Sequence, residues 1–250
     1  PRTATTWFAG AIESLQSRCG IDCSQTLIPL MPIANVTIGG IPTDASGQVV
    51  NGDWTSKVKG LFAAGDAACS GLHGAALNSG DHLLGAITSG ESAGSAAATH
   101  AAKSKFSGSS EISIALSEAH HLHDSLLSSA GSDGVSAGSI QSSLATTMQT
   151  HMGTSRSAGG LAQAASSIQQ LQDTSVVLGD PSPVMNTELV TLLRTQSLLS
   201  VCSAAVSAAL AREESRGNHV RTDFPNTDTE PPQHSLTSMD GEVTMLPLRS

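Results

Sequence analysis

The polar side chains with the most chemical potential fall into four small groups. Cys19 and Cys23 stand four apart. A tetrahedral zinc site needs two more ligands near them, and the flanking sequence offers none. His120, His121 and His123 lie beside Asp124. Metal binding by this cluster is weighed against a solvated helix face, and the face is favoured, because neighbours one apart do not converge on a helix surface. Asp66 closes the run Lys59-Gly60-Leu61-Phe62-Ala63-Ala64-Gly65, and a Gly-rich loop follows it from Ser70 to Gly80. Ser79-Gly80-Asp81-His82 carries hydroxyl, carboxylate and imidazole, but reads only as a loop. Serines, histidines and aspartates abound, yet no G-x-S-x-G elbow and no phosphate-binding P-loop is present.

Composition narrows the classes further. The 250 residues carry a net charge of -9, with 13% charged and 2% aromatic side chains and no Tyr. No basic stripe exists to neutralise phosphates, so nucleic acid is not an expected partner. Trp7, Trp54, Phe8, Phe62, Phe106 and Phe224 are scattered and make no stacking surface. No uninterrupted apolar run of about 18 residues occurs, so no transmembrane segment is expected. Four cysteines (19, 23, 69, 202) in a chain of this length are no disulfide scaffold, and a reducing compartment is the default. The chain opens on Pro without Met and shows no signal-peptide pattern, which fits a processed mature form. An Ala, Ser and Gly core buries little area per residue, at about 25 cal/mol per Å². Such a chain gains from burying a face against a partner, so an assembly component is expected.

The elements that position these groups can be read along the chain. Leu27-Ile28-Pro29-Leu30-Met31-Pro32 is extended or an edge strand. Val36-Thr37-Ile38 reads as a strand, Asp44-Ala45-Ser46-Gly47 as a turn, and Gln48-Val49-Val50 as the strand leaving it. Residues 59–66 read as a short buried strand. Leu83, Leu84 and Ile87 begin a helix over 81–98. Ile112, Leu116, Ala119, Leu122 and Leu126 mark another. Ile140, Leu144 and Met148, then Leu161, Ala165, Ile168 and Leu171, form two helical stripes. Asn186 caps the last helix with Glu188 in its first turn, and Leu189, Leu192, Leu193, Leu199, Val206 and Leu210 line its inner face. Gly217 is the expected stop, and Pro225 excludes continuation. Val243 to Leu246 is a strand candidate. The fold class is α+β: a partial domain of strands plus one helix, an antiparallel helical bundle and a short tail. The expected boundaries are 1–28 (linker), 29–98 (partial domain), 99–137 (polar insert and helix), 138–217 (bundle) and 218–250 (tail).

Several motifs in order resemble the C-terminal part of the succinate dehydrogenase / fumarate reductase flavoprotein, from about residue 20 to the end. Gly39-Gly40-Ile41-Pro42-Thr43-Asp44 with Gly47-Gln48-Val49 is similar to that family's GGIPT…GQV hairpin. Gly60 to Asp66 resembles GLYAAGE. His73-Gly74-Ala75 with Leu83-Leu84 is similar to the two ends of HGANRLGGNSLL. Asn186-Thr187-Glu188-Leu189 resembles NTDL. Glu214-Ser215-Arg216-Gly217-Asn218-His219 resembles the family's ESRGAH, with Arg221 and Asp223 just beyond it. His234-Ser235-Leu236 and Gly241 to Met245 resemble the tail. One match is weak; six at plausible spacing are strong.

The resemblance implies a flavin and makes residues 29–98 a partial FAD-binding-like domain, and it also implies what is altered. No strand–GxGxxG–helix unit for the FAD pyrophosphate is present, nor the segment that carries the covalent flavin, nor the capping domain with its catalytic Arg. The family's substrate-holding His falls on Asn35, and the Arg that clamps a dicarboxylate falls on Leu77. A bidentate Arg–carboxylate pair is a strong contact, and Leu77 offers neither donor nor charge. The Asn and Ser that open the flavin-facing helix fall on Asp81 and His82. A carboxylate there satisfies the helix amides itself and repels a flavin anion. Asp66 occupies the place of a Glu that bonds FAD hydroxyls, so the cofactor-side positions are Asp66, His82 and Leu83.

The implied function is a structural or assembly subunit of mitochondrial succinate dehydrogenase (complex II), on the matrix side of the inner membrane, with the substrate-binding His and Arg positions lost. Its partners would be the N-terminal half of a flavoprotein, or a full one, and the iron–sulfur subunit. No cofactor is expected on this chain alone, FAD being bound only with the missing half. The alternative is the catalytic C-terminal half of a split enzyme oxidising succinate to fumarate, with FAD held jointly by a second chain. Aspartate oxidase is a related flavoprotein, but the GQV turn and the tail favour succinate dehydrogenase. An unrelated soluble module is the third reading.

Overall fold

The computed structural model describes residues 8–34, 36–52, 54, 56–78, 80–128, 134–227, 230–238 and 240–248. It divides into two compact units, residues 1–33 and 34–250.

The first unit holds one helix, α1 (Ala9–Cys19), which buries none of its residues. Gly20 ends it in the left-handed region at φ +66°, and its N–H closes on the Gln16 carbonyl at 3.1 Å. Residues 27–32 form no strand. Pro29 and Pro32 remove two ladder donors, and the run stays unpaired, with Leu27 93% exposed. Trp7, part of the apolar patch at the start of the chain, lies outside the described residues.

The second unit begins with short strands. β1 (Ile41–Pro42) pairs in parallel with β4 (Ala68–Cys69). β2 (Gln48–Val50) pairs antiparallel with β3 (Lys57–Phe62). Val36 to Ile38 is not a strand; the pairing starts at Ile41. The expected turn is present and is built around one carboxylate. Asp44 accepts the N–H groups of Ser46 (2.9 Å) and Gln48 (3.0 Å) and meets Lys57 Nζ at 2.5 Å. Burial alone would raise this carboxyl, but Lys57, Ser46 and Gln48 bring it down to about 2. Gly47, at φ +73°, lets the turn lie against Ala93, where a Cβ would collide.

β3 is exposed along most of its length rather than buried. A 3₁₀ turn (Gly65–Ala67) leads to β4, and the Gly-rich loop leads to α2 (Asp81–Lys103), which outruns the expected end at 98. The inner face of α2 is small: Ser89 Oγ accepts the Gly65 N–H at 2.9 Å, and the His100 ring meets Phe62 edge-on at 6.1 Å. α3 (Ser109–Leu127) follows, with Glu111 accepting the Gly108 N–H at 2.9 Å. None of its residues is fully buried: Ile112, Leu116 and Leu122 lie open, while Leu126 and Leu127 at its end pack against Leu189 and Leu192.

Three helices make the bundle: α4 (Ala137–His151), α5 (Ala158–Gln172) and α6 (Thr187–Ala211). Ser136, Ser157 and Asn186 cap them through their side-chain oxygens. The core joins Ile140 and Leu144 to Leu161, Ala164 and Ile168 and to Leu199, Val206 and Ala209. A second cluster, Ala137, Leu178, Leu189 and Leu192, closes the other end. Leu193, expected inside, is exposed. A two-residue parallel pair, β5 (Val135–Ser136) with β6 (Val176–Val177), ties the segment before α4 to the one after α5.

α6 corrects one expectation. Its most apolar 18-residue window has a mean hydropathy of 1.4, so by length and composition it could cross a membrane. Leu, Val and Ala reach that value between Ser and Thr residues, without an unbroken run. Its buried residues, Leu189, Leu192, Thr195, Leu199, Val206 and Ala209, include the core positions named above. α6 also ends at Ala211, six residues before Gly217. The tail forms a hairpin, β7 (Gln233–Thr237) against β8 (Val243–Pro247), so the expected strand near 243 has a partner the pattern did not show.

Candidate functional site

The positions singled out by sequence gather around the Gly-rich loop and the start of α2. Leu77 is half-buried in that loop, and His82 and Leu83 are exposed in the first turn of the helix. Asn35 and Ser79 lie outside the described residues. Asp66 sits in the 3₁₀ turn that leans on α2 through Gly65, which touches Ala86 and Ser89, about one to two turns beyond Leu83. Its carboxylate is exposed, and no described residue bonds it. Asp81 does not bond into its own helix. Its carboxylate turns back to accept the Asn78 N–H at 2.9 Å, while the Asp81 N–H reaches the Asn78 carbonyl at 3.2 Å. No side chain therefore caps α2, whose N-cap is Gly80 at φ +90°.

Three contacts hold the loop. The His73 ring packs on Gly85 of α2, where a Cβ would lie 3.0 Å from Nε2. The His234 ring of β7 covers Gly71 and stands 5.4 Å from the Trp54 ring centroid. The Ala75 carbonyl accepts the Asn218 N–H at 2.8 Å, and Gly217 at φ +57° passes so close that any Cβ would overlap that carbonyl. The RGNH segment is thus a clasp on the loop rather than a helix stop.

Behind the clasp lies a cluster of arginines that periodicity does not reveal. Arg221 is buried, 1% exposed. Its Nη1 donates to the carbonyls of Ala209 (3.1 Å), Leu210 (3.2 Å) and Arg212 (3.1 Å), the open carbonyl end of α6. Its other edge forks onto Asp223, Nε to Oδ1 at 2.8 Å and Nη2 to Oδ2 at 2.7 Å. Asp223 Oδ2 also accepts the Ala158 N–H at 3.0 Å, at the start of α5. One ion pair thereby places a cation at one helix's negative end and an anion at another's positive end. The Asp223 carboxyl is held far below its ordinary range, chiefly by Arg221. The guanidinium also stands 5.0 Å from the Phe224 ring centroid.

His219 completes this cluster. Arg156 Nη1 donates to its Nδ1 at 2.9 Å, so Nδ1 is the acceptor and the proton is on Nε2, which faces the Arg212 carbonyl at 3.1 Å. Burial lowers its pKa, and the charges of Arg156, Arg212 and Arg221 lower it further. Glu214 bridges Arg212 and Arg216. Arg212 donates to the Gln233 carbonyl (2.9 Å) and Arg216 to that of Glu230 (2.7 Å), which joins the end of α6 to the tail.

Among the described residues no three His, Cys, Asp or Glu side chains are grouped as a ligand set. In the histidine cluster, His123 Nδ1 meets Asp124 at 3.2 Å. For a flavin dinucleotide the residues present fit only in part. Asp66 offers acceptors for hydroxyl groups, and the uncapped start of α2 offers amides. Asp81 places a carboxylate at that same start, and the Gly-rich loop is closed onto the clasp.

Comparison with known proteins gives a consistent answer. A family model described as "FAD binding domain" matches residues 5–83, and one described as "Fumarate reductase flavoprotein C-term" matches residues 141–248. The chain is 31% identical to the succinate dehydrogenase flavoprotein subunit of Rickettsia bellii, across 98% of this chain and 42% of that relative. It is 30% identical to the mitochondrial succinate dehydrogenase [ubiquinone] flavoprotein subunit of Oryza sativa, across 96% and 39%. A solved E. coli quinol fumarate reductase chain superposes with a TM-score of 0.81 at 26% identity, covering 95% of this chain and 40% of its own. The chain spans about two fifths of the length of these relatives.

Proposed function

From a chain that belongs to the succinate dehydrogenase / fumarate reductase flavoproteins, we propose a structural or assembly role within a succinate dehydrogenase complex, the mitochondrial complex II on the matrix side of the inner membrane. The observation that carries this reading is Leu77. The loop around it is clasped at Ala75 by Gly217 and Asn218, so its backbone is held, while the place of the dicarboxylate-clamping Arg has no charge. A held loop without its cation is a retained scaffold with an altered site. Asn35, at the second substrate position, is a weaker donor than His⁺ and supplies no charge. The partners in this reading are the N-terminal half of a flavoprotein, or a full one, and the iron–sulfur subunit.

The test is deletion of this chain, followed by purification of the complex. Reduced assembly and a lower thermal midpoint are expected; unchanged assembly together with unchanged stability overturns the reading. A second reading, the catalytic C-terminal half of a split enzyme oxidising succinate to fumarate, is favoured by one feature. Asp66 is exposed and unbonded by any described residue, beside the uncapped helix. Bound FAD touching residues 60–84, with a cation from a second chain filling the space at Leu77, would establish that alternative. Flavin absent from those residues would exclude it.

A further inference from the structure

We infer that the small hairpin of residues 216–219 is an acid-released latch: protonation of the His219 ring lifts the hairpin tip from Ala75 and opens the Gly-rich loop that carries Leu77. The inference stands independently of the assembly role. The Arg216 N–H donates to the His219 carbonyl at 2.8 Å and the His219 N–H to that of Arg216 at 3.0 Å, which leaves Gly217 and Asn218 as the tip. The tip is what touches the loop. The Asn218 N–H bonds the Ala75 carbonyl at 2.8 Å, and Gly217 lies against the same peptide group. His219 stands at the base of the hairpin and is buried. Its Nδ1 accepts from Arg156 Nη1 at 2.9 Å, and its Nε2 donates to the Arg212 carbonyl at 3.1 Å. Only a neutral ring can make both bonds.

A proton on Nδ1 removes the acceptor that Arg156 uses. Two donors and two positive charges then face each other across 2.9 Å, away from bulk water. The elements around the ring offer no relief. Arg156 comes from the segment before α5, Arg212 from the end of α6 and Arg221 from the tail, and all three oppose a further charge. Glu214 bridges Arg212 and Arg216, Asp223 is forked onto Arg221, and the charge of Glu213 acts on Arg221 as well. None of these carboxylates bonds the ring, whose two nitrogens are taken. Gly74, Ala75 and Ala76 bring no charge from the loop. Anchoring decides which side yields. The Arg156 N–H donates to the Val220 carbonyl at 3.0 Å, its carbonyl accepts the Thr222 N–H at 2.8 Å, and its Nε donates to the Gly153 carbonyl at 3.3 Å. The Arg212 carbonyl is shared with buried Arg221. Among the described residues, the tip has one hydrogen bond to the loop. Arg216 stays bonded to Glu214 and to the Glu230 carbonyl, so the hairpin turns about its first residue and the tip leaves Ala75. His73 on Gly85 and His234 on Gly71 still flank the loop, which makes the opening local.

The experiment follows amide exchange of the full chain by NMR between about pH 7.5 and pH 5, read as protection factors so that the intrinsic pH dependence of exchange cancels. An open hairpin takes up its proton at the ordinary 6.5, and the closed one only at a lower pH. Protection at Asn218 is therefore expected to fall by up to about thirtyfold at pH 5. Gly74 and Ala76 are expected to follow, while Leu161 and Ile168 in the bundle keep their protection. His219→Gln, whose side chain both accepts and donates without titrating, is expected to abolish the fall. His73→Gln and His234→Gln, which remove the other two rings against the loop, are expected to keep it. A further check needs no variant: in the native chain the fall is expected to level off at the pH where the His219 ring nitrogens are seen to titrate, below 6.5. Four results overturn the latch. They are protection at Asn218 that does not change with pH, a fall that persists in His219→Gln, a fall that disappears in His73→Gln or His234→Gln, and an equal fall at Leu161 and Ile168, which marks general unfolding. A His219 ring that titrates at or above 6.5 overturns it too.

Discussion

Arg221 carries two duties that no other side chain type can share. A planar fork with five donors reaches the α6 carbonyls on one edge and both Asp223 oxygens on another. Arg221→Ala leaves those carbonyls open and Asp223 without its partner, at a cost of about 3–5 kcal/mol. The loss is read as a lower urea midpoint, and Arg221→Lys restores only a minor part, since an ammonium holds charge but not the fork. An unchanged midpoint in Arg221→Ala would show that water replaces the whole arrangement. His219 adds a pH dependence whose sign is fixed. Its folded pKa lies below the ordinary 6.5, because burial and the facing Arg156, Arg212 and Arg221 oppose a further positive charge; Glu214 and Asp223 are occupied by their own arginines. Above pH 6.5 both folded and unfolded chains hold a neutral imidazole, and its contribution is complete. As pH falls below that value the unfolded chain takes up a proton that the folded one refuses, and stability declines until the folded pKa is passed. The urea midpoint of the native chain is expected to drop more between pH 7.5 and 5.5 than that of His219→Gln. Equal drops would place the pH dependence elsewhere, for instance at His234, whose pKa is also lowered by burial. The segment holding these residues stands out in sequence through its family motif. Arg156, 63 positions from its histidine, does not, because a contact between distant loops leaves no period to read.

The helix ends show why some signals are legible and others mislead. Asn186 reads as a cap and is one: its Oδ1 accepts the Leu189 N–H at 2.9 Å, and its Nδ2 donates to the Asp180 and Ser182 carbonyls. Asn186→Ala is expected to cost about 1–2 kcal/mol, measured by chemical denaturation, with a value near zero counting against the cap. Capping is local, so three residues suffice to predict it. The other end of α6 is not local. Gly217 resembles a stop, but the helix closes at Ala211 because a side chain ten positions on takes its carbonyls. The glycine serves the Ala75 contact, so Gly217→Ala is expected to destabilise the chain by about 2 kcal/mol or more through the left-handed backbone. It is also expected to speed amide exchange around Ala75, which a helix-stop role would not do. A similar limit explains β3 and α3. Their apolar residues announce a face to be covered, and that need is real. Periodicity cannot say whether the cover lies in the same chain, and here Leu61, Ile112 and Leu116 remain exposed.

Within residues 34–250 the stability is unevenly distributed, and the tail is what links the two parts. The bundle has continuous apolar contact among three helices, and its ends are sealed by caps and by Arg221. The lobe of short strands has few buried side chains and depends on contacts from elsewhere. The β7–β8 hairpin supplies several of them. Leu236 fills the space over Gly52, and His234 covers Gly71 beside Trp54. Thr237 Oγ1 reaches the Ala204 carbonyl of α6 at 3.4 Å, and Arg212 holds the Gln233 carbonyl. The hairpin therefore bridges a stable element and a marginal one, and regions with few buried contacts are the ones that open first. Removal of residues 231–250 is expected to raise amide exchange at 48–62 and 71–78 by an order of magnitude or more, while residues 140–170 keep their protection. The comparison is internal to one sample, so it does not depend on how much global stability the truncation costs. Loss of protection spread evenly across the bundle and the lobe would mean that the two unfold as one cooperative body.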